Sequence, residues 1–436
     1  MGKSNKLAIH GGRPVRTKLF PAYRVIGEEE KQAVTKVLDS GILSRFLGCW
    51  HEDFYGGPEI QALEKEWAEY FHVKHAIAVN SCTSGLYCAI GAAGVGPGDE
   101  VIVSPYTMSA TATAILVFNA IPVFADIESD YYCIDPKSVE ERITPQTKAI
   151  MAVDLFGLPY YVDAINALAR KHNLIVIEDC AQAPGAMYKG KFAGTLGDVG
   201  VYSLNYHKHI HSGEGGVVVT DNDDLAEKVR LIRNHAEAVV EDKGITDIVN
   251  MIGFNFRMTE IEAAIARCQL SKLDGLLALR RENCEYLNEK LGEIPGIMPP
   301  KTRLECSHSY YVHPLKFDSE ILSVSREKFL DAVKAELPPT EHREGEGVLI
   351  GTGYCKPLYL QPIFQKLIAY GDKGCPFACH LYQGKVNYKK GICPVTEDLC
   401  GKELFTHDLM LPPMTKEDLD DVVNAFEKVW NLRGEL

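Results

Sequence analysis

From about residue 59 the chain alternates between helical and strand-like apolar patterns, and this alternation limits the fold more than any other feature. Residues 59–71 carry apolar side chains at helical spacing, 75–79 form a short apolar run, and 83–93 return to helical spacing. The turn Gly96-Pro97-Gly98-Asp99 leads into a strand at 100–104, a helix at 109–118 and a strand at 121–124. Buried strands follow at 149–153 and 174–177, with a helix at 162–172 between them. Short apolar strands separated by helices predict an α/β fold with a mostly parallel sheet covered on both faces.

A charged helix is expected at 221–234 and a single long, Ala-rich helix at 258–276. After residue 280 the texture changes to polar loops and short strands. The segment 343–402, rich in Gly, Pro, Tyr and Cys, reads as long ordered loops, and a helix at 416–432 closes the chain. The reading divides the chain into an N-terminal arm (1–30), a large domain (31–278) and a smaller α+β domain (279–436). No internal repeat is visible.

A formal net charge of −13 argues against nucleic-acid or membrane-surface partners. No apolar run reaches transmembrane length. Met1 to Lys6 has no apolar core for a signal peptide, and Lys6 breaks the myristoylation pattern. Thirteen scattered cysteines then suggest a reduced cytoplasmic protein whose thiols act as small buried hydrophobes.

Four motifs carry chemistry. The first is Ser203-Leu204-Asn205-Tyr206-His207-Lys208, which ends an apolar strand and precedes Gly213-Glu214-Gly215-Gly216. Lys208 can be held there beside a bound carbonyl compound, partly desolvated, and partial desolvation favours the neutral amine that forms a Schiff base. The second is Glu178-Asp179-Cys180-Ala181-Gln182 at a strand end, where side chains enter the ligand crevice of a parallel sheet. Asp179 can keep a ring nitrogen protonated and so turn a pyridine ring into an electron sink, while Gln182 reaches a ring substituent. A carboxylate in that place also serves as an ordinary turn cap. The third, Asn80-Ser81-Cys82-Thr83-Ser84-Gly85, offers hydroxyls and free N–H groups to a phosphate at a helix N-terminus, or simple N-capping by Ser81 or Thr83. The fourth, 253–260, opens the Ala-rich helix, and its Asn255 and Arg257 exceed what helix initiation needs.

In order and spacing these motifs resemble the DegT/StrS-type sugar aminotransferases, a branch of the fold-type I enzymes that use pyridoxal 5'-phosphate (PLP). The resemblance runs from Gly11-Gly12-Arg13-Pro14-Val15-Arg16 and Ser40-Gly41-Ile42-Leu43-Ser44 through 126–135, Leu155-Phe156-Gly157 and 356–362 to Leu411-Pro412-Pro413-Met414-Thr415. It implies that Lys208 is the Schiff-base lysine, Asp179 the partner of the pyridinium nitrogen, and Gln182 the group near the phenolic oxygen. Cys82, Thr83 and Ser203 match the phosphate-binding positions. Asn255 matches a residue that reaches the phosphate of a neighbouring subunit's cofactor, which implies a homodimer with shared active sites.

The chain departs from the pattern at three places. Met108 stands where an aromatic residue usually covers the cofactor ring, with Tyr106 as an alternative. Cys82 replaces a common glycine. Asp154 stands where relatives often have histidine before the Phe-Gly turn.

The activity implied is transfer of an amino group from glutamate or glutamine to a keto-sugar or ketocyclitol. One alternative is a PLP-dependent sugar dehydratase, whose branch carries histidine in place of the lysine. The fifth position beyond Ser203 is Lys208, with His207, His209 and His211 as neighbours. A non-catalytic PLP-binding regulator would need a lost lysine or a basic DNA-binding module. A Rossmann oxidoreductase would need G-x-G-x-x-G at a strand–helix junction. Cys375, Cys379, His380, Cys393 and Cys400 depart from the paired C-x2-C spacing of structural zinc sites, so no metal is expected. Tyr382, Tyr388 and Lys389 in the same segment suit sugar contacts.

Overall fold

The alternation resolves into seven strands: β1 (His75–Val79), β2 (Glu100–Val103), β3 (Ile121–Phe124), β4 (Thr147–Val153), β5 (Ile175–Asp179), β6 (Val199–Ser203) and β7 (Gly216–Thr220). The computed structural model describes residues 6–354 and 356–436. Met1 to Asn5, read above for targeting signals, and Cys355 lie outside them.

The spatial order is β1-β7-β6-β5-β4-β2-β3. Strands β3, β2, β4, β5 and β6 pair in parallel, and β7 pairs antiparallel with both β6 and β1. Strand β7 is new relative to the sequence reading. Gly213 to Gly216 form the expected turn, but Val217, Val218 and Val219 continue it as a wholly buried strand.

Helices cover both faces: α1 (Glu28–Ser40), α2 (Pro58–Phe71), α3 (Cys82–Ala92), α4 (Ser109–Val117), α5 (Pro136–Arg142), α6 (Val162–His172) and α7 (Asp223–Arg233). The strand alternation sorts the core into two layers. Ile102 and Ile150 pack with Trp67 and Tyr202 on one face. Val101, Val103 and Met151 pack with Ile77 and Val218 on the other.

The expected long helix 258–276 is two helices, α8 (Glu260–Leu270) and α9 (Leu273–Gly292). The break at Ser271 and Lys272 has an electrostatic cause. Buried Glu30 of α1 accepts from Gln269 Nε2 at 2.7 Å and from Lys272 Nζ at 2.6 Å, which ties that corner down onto α1. Ser271 Oγ donates to the Cys268 carbonyl at 2.7 Å and satisfies one of the freed acceptors. The start of α8 does double duty, because Glu260 caps α2 by accepting from the N–H groups of Gly57 and Glu59.

Helix α9 runs unbroken from the first core, where Leu277 packs, into a second core holding Cys284, Leu287 and Leu291. That second core lies against β8 (Ile297–Met298), β9 (His313–Phe317), β10 (Ile350–Gly351) and β11 (Leu404–His407), an antiparallel sheet in the order β8-β9-β11-β10. Helices α10 (Arg326–Glu336) and α11 (Lys416–Asn431) pack on it, and Leu7 and Phe20 of the N-terminal arm are buried in it.

Within the 343–402 segment, the part from Leu358 to Cys393 returns to the large sheet. Phe364 and Tyr388 pack on Phe124 with ring centroids 5.2 and 5.4 Å away. Tyr382 donates to Glu100 at 2.7 Å, and Tyr388 to the Pro122 carbonyl at 2.7 Å. Both hydroxyls sit near strand starts, at the opposite edge of the sheet from the site described next. They anchor the segment rather than meet a sugar. Among the described residues, no helix is long and apolar enough to cross a membrane.

Candidate active site

The site forms where the parallel strands end. Asp179 is the last residue of β5 and only 5% exposed. Its Oδ2 accepts from Thr111 Oγ1 of α4 at 2.8 Å, and its Oδ1 from the Ala181 N–H at 3.2 Å. Burial raises its pKa; the Thr111 bond, the Ala181 N–H and the charge of Lys208 oppose that rise.

One wall is the start of α3. Ser81 caps the helix by accepting from the Ser84 N–H at 3.0 Å, and Ser84 Oγ donates to Asn80 Oδ1 at 2.7 Å. Capping is therefore the work of Ser81. The N–H groups of Cys82 and Thr83 lie in the first turn and have no intrahelical acceptor. Strand β7 presses against this helix end. A Cβ on Gly216 would fall 2.7 Å from the Cys82 nitrogen, so only glycine permits the approach. Ser203 pairs with Gly216 across β6 and β7, and its Oγ accepts from the Asn205 N–H at 3.3 Å.

The loop between β6 and β7 carries Lys208. Backbone bonds from Leu204 to Gly215 and from Tyr206 to Gly213 close the loop, and the Lys208 N–H donates to Asn205 at 2.9 Å. Lys208 is half-buried, with Nζ 4.2 Å from the ring centroid of Tyr311. Its charge acts on both Asp179 and Cys82. Burial, then the charge of Asp179, pushes the Cys82 thiol up, and Lys208 opposes them. The three groups thus share one electrostatic site.

Gln182 is buried and spoken for: Oε1 accepts from the Phe156 N–H at 2.9 Å, and Nε2 donates to the Tyr354 hydroxyl at 2.8 Å. Tyr106 is wholly buried and packs edge-on against Tyr354 with centroids 5.3 Å apart, so it supports the site from below. Met108 is the N-cap residue of α4, three residues ahead of Thr111, and is 58% exposed. Asn255 is exposed, and its carboxamide oxygen accepts from Arg257 Nε at 2.8 Å.

His209 is buried, with Nε2 donating to the Ser309 carbonyl at 2.9 Å; burial holds its pKa well down. Burial also lowers His211 and His207. His207 and Tyr311 form part of the wall of an adjoining cavity of about 280 Å³, closed by Tyr23 and Arg24 of the arm and by Arg343 and Asp408 of the small domain.

Sequence reasoning missed Thr111, Tyr311 and Tyr354. Thr111 lies one helical turn beyond Thr107, and nothing in the pattern of α4 marks it. Tyr311 and Tyr354 come from distant segments that only the tertiary fold brings to Lys208 and Gln182. In the cysteine-rich segment, Cys400 Sγ donates to the Tyr354 carbonyl at 3.2 Å, and Cys393 is buried beside Phe124. Among the described residues, no group of three His, Cys, Asp or Glu side chains is placed to hold a metal ion.

The donor set fits PLP. A helix N-terminus and a glycine-lined approach suit its phosphate, a buried carboxylate suits its ring nitrogen, and a lysine lies within electrostatic reach of that carboxylate. Fold and site together define a PLP-dependent transaminase of the fold-type I class. The DegT/DnrJ/EryC1/StrS aminotransferase family matches residues 24–387, and the chain belongs to that family.

Similar proteins include GDP-perosamine synthase of Caulobacter vibrioides, 40% identical over 86% of this chain and 90% of its own. L-glutamine:2-deoxy-scyllo-inosose aminotransferase of Streptomyces kanamyceticus is 31% identical over 100% of this chain and 99% of its own. Among solved structures, the aminotransferase from Psychrobacter cryohalolentis superposes with a TM-score of 0.80 at 29% identity, covering 95% of this chain and 99% of that one. The enzyme is thus a PLP-dependent transaminase of this family.

Proposed function

We propose that this enzyme moves an amino group from glutamate or glutamine to the carbonyl of a keto-sugar or ketocyclitol, with Lys208 as the catalytic base and acid. The observation that carries the reading is the placement of Lys208. Its Nζ lies over the Tyr311 ring, and its charge acts on buried Asp179. PLP, when bound, supplies the electron sink for the pair left behind when the donor's α-proton departs.

The chain's residues do the rest. Asp179, oriented by Thr111 and the Ala181 N–H, holds positive charge on the ring nitrogen. Gln182, fixed between Phe156 and Tyr354, lines the edge bearing the phenolic oxygen. Cys82 and Thr83 offer N–H groups to the phosphate, together with the hydroxyls of Thr83 and Ser203. Met108, exposed at the start of α4, covers the ring through its thioether. With PLP bound, Lys208 Nζ would move the donor's α-proton to the cofactor side before water releases the oxo acid, and in the second half-reaction it would carry a proton the other way, to the former carbonyl carbon of the acceptor. Two half-reactions of this kind give ping-pong kinetics.

The end-to-end similarity to a glutamine-dependent cyclitol enzyme supports an amide or acid donor and a polyhydroxylated ring acceptor. GDP-perosamine synthase, similar over a shorter span, keeps nucleotide sugars among the acceptors. Cytoplasmic location is our reading of the scattered cysteine spacing, in which several thiols serve as small buried hydrophobes.

Asn255, exposed and held on Arg257, we read as completing the phosphate site of a second copy. One mixing experiment tests both roles. Lys208→Ala and Asn255→Ala proteins, each nearly inactive with glutamine and a panel of keto-sugars and ketocyclitols, should regain activity when unfolded and refolded together. A mixed dimer then holds one intact site. Full activity of Lys208→Ala alone would refute the lysine assignment, and no recovery on mixing would refute the shared site.

A further inference from the structure

Two carboxyl groups meet directly behind Asp179, on the far face of the sheet. In the parallel pair β4 and β5, Ala152 lies opposite Glu178 and Val153 opposite Asp179. Asp154 adds one more rung, its N–H donating to the Asp179 carbonyl at 3.1 Å. Side chains alternate along a strand, so Glu178 points away from the cofactor side. The Asp154 carboxyl meets it there, and both residues are 0% exposed.

The partners of the two groups differ. Glu178 is received as an anion: Oε1 accepts from the Gly194 N–H at 2.7 Å, and Oε2 from Leu196 at 2.9 Å and Gly197 at 3.1 Å. Asp154 Oδ1 accepts from the Tyr160 N–H at 3.1 Å, while its buried Oδ2 has no donor among the described residues. Two ionised carboxylates in contact without solvent would be very costly. A proton on Asp154 Oδ2, donated to Glu178, removes both the repulsion and the unmet atom. Burial raises the Asp154 pKa well above the usual range, and Glu178 raises it further. Titratable groups around the pair include Tyr160, Cys133, Cys180, Tyr202 and Cys306, each raised mainly by burial, and Asp179, whose charge adds to the rise at Asp154. Arg303, whose charge reaches Cys133, is itself paired with Glu128.

We propose that Asp154 and Glu178 share one proton, carried by Asp154, and that the pair is a positioning device for Asp179. It locks the ends of β4 and β5 to the 193–197 loop and keeps one negative charge, instead of two, behind the ring-binding carboxylate. Asp154 thereby supplies a hydrogen-bond donor at the position where relatives often have histidine. The positioning role rests on reading Asp179 as the ring's partner; the shared proton does not.

The test begins with infrared spectra of the holoenzyme at neutral pH. A protonated-carboxyl band should be present in the wild type and absent from Asp154→Asn; if the wild type lacks that band, the shared proton is refuted. Asp154→Asn keeps a neutral donor and should restore the wild-type rate of cofactor loss and the wild-type acid limb of the pH–rate profile. Asp154→Ala lacks the donor and should release the cofactor on the order of tenfold faster, with the acid limb displaced. Wild-type release and profile in Asp154→Ala would refute the positioning role. Asp179→Asn, measured for cofactor release alongside, separates failures: wild-type release there refutes the reading of Asp179 while leaving the infrared result standing.

Discussion

Thr111 provides the sharpest test of how the site is tuned. Valine matches threonine in volume but replaces the hydroxyl by a methyl, so Thr111→Val removes the 2.8 Å bond to Asp179 Oδ2 and leaves the packing of α4 in place. Oδ1 keeps its longer bond to the Ala181 N–H. A hydrogen bond to a buried charge contributes about 1.5–3 kcal/mol. Asp179 is nearly excluded from solvent, so water cannot replace the lost donor. At about 1.4 kcal/mol per factor of ten, cofactor dissociation should quicken by roughly 10- to 150-fold.

The pH dependence has a definite sign. Burial holds the Asp179 pKa up and the Thr111 bond is the first force opposing it, so removing the bond moves that pKa higher. The acid limb of kcat/KM should therefore move to higher pH. Stopped-flow absorbance after dilution into apo-protein trap measures the first effect, and a pH–rate profile the second. Thr111→Ser keeps the hydroxyl and should stay close to wild type. If Thr111→Val loses cofactor no more than twofold faster and its acid limb does not move, the bond does not tune Asp179.

Gly216→Ala places a methyl against backbone that cannot move without disturbing α3, so it should cost about 1–3 kcal/mol in stability and weaken cofactor retention. Calorimetry of the apo-protein with unchanged stability would count against that packing account. The small-domain histidines give a stability profile: His407 Nδ1 accepts from the Leu409 N–H, so its Nε2–H donates to His313 Nδ1 at 2.8 Å, and His313 Nε2–H to Asn288 Oδ1 at 2.7 Å. Burial lowers the His407 pKa to about 3. The unfolded chain therefore binds protons below about pH 6.5 that the folded chain refuses, and stability should fall by about 2 kcal/mol per such histidine between pH 7.5 and pH 5. Urea unfolding of wild type and His407→Gln measures this, the variant giving a shallower fall; equal slopes would exclude His407 as a source.

The parallel part of the sheet was legible because each strand is buried on both faces and so reads as an unbroken apolar run. Strand β7 escaped because its glycine-rich entry looks like the end of a turn rather than the start of Val217, Val218 and Val219. The break before α9 was invisible for another reason. Local propensity favours one helix there, and the cause is Glu30, more than two hundred residues away. The same limit applied at the site. Lys208, Asp179 and the α3 entry follow strand ends and could be placed by pattern. Thr111, Tyr311 and Tyr354 arrive through tertiary packing, with no local signature. Tyr382 was misread because its sequence neighbourhood gives no hint that the segment folds back to the starting edge of the sheet.

Burial of Leu7 and Phe20 among residues 284–429 makes the small-domain core discontinuous in the chain. Its two ends are also tied together, with Arg16 paired to Asp418 and Asp421, and Lys428 Nζ donating to the Arg13 carbonyl. Closing such a core requires contacts of nearly the greatest sequence separation the chain allows, which is the slow kind to form. During synthesis the large sheet has all seven strands before α11 exists. The arm, made before the sheet, is thus among the last segments to find its partners, and until then two apolar anchors stay uncovered.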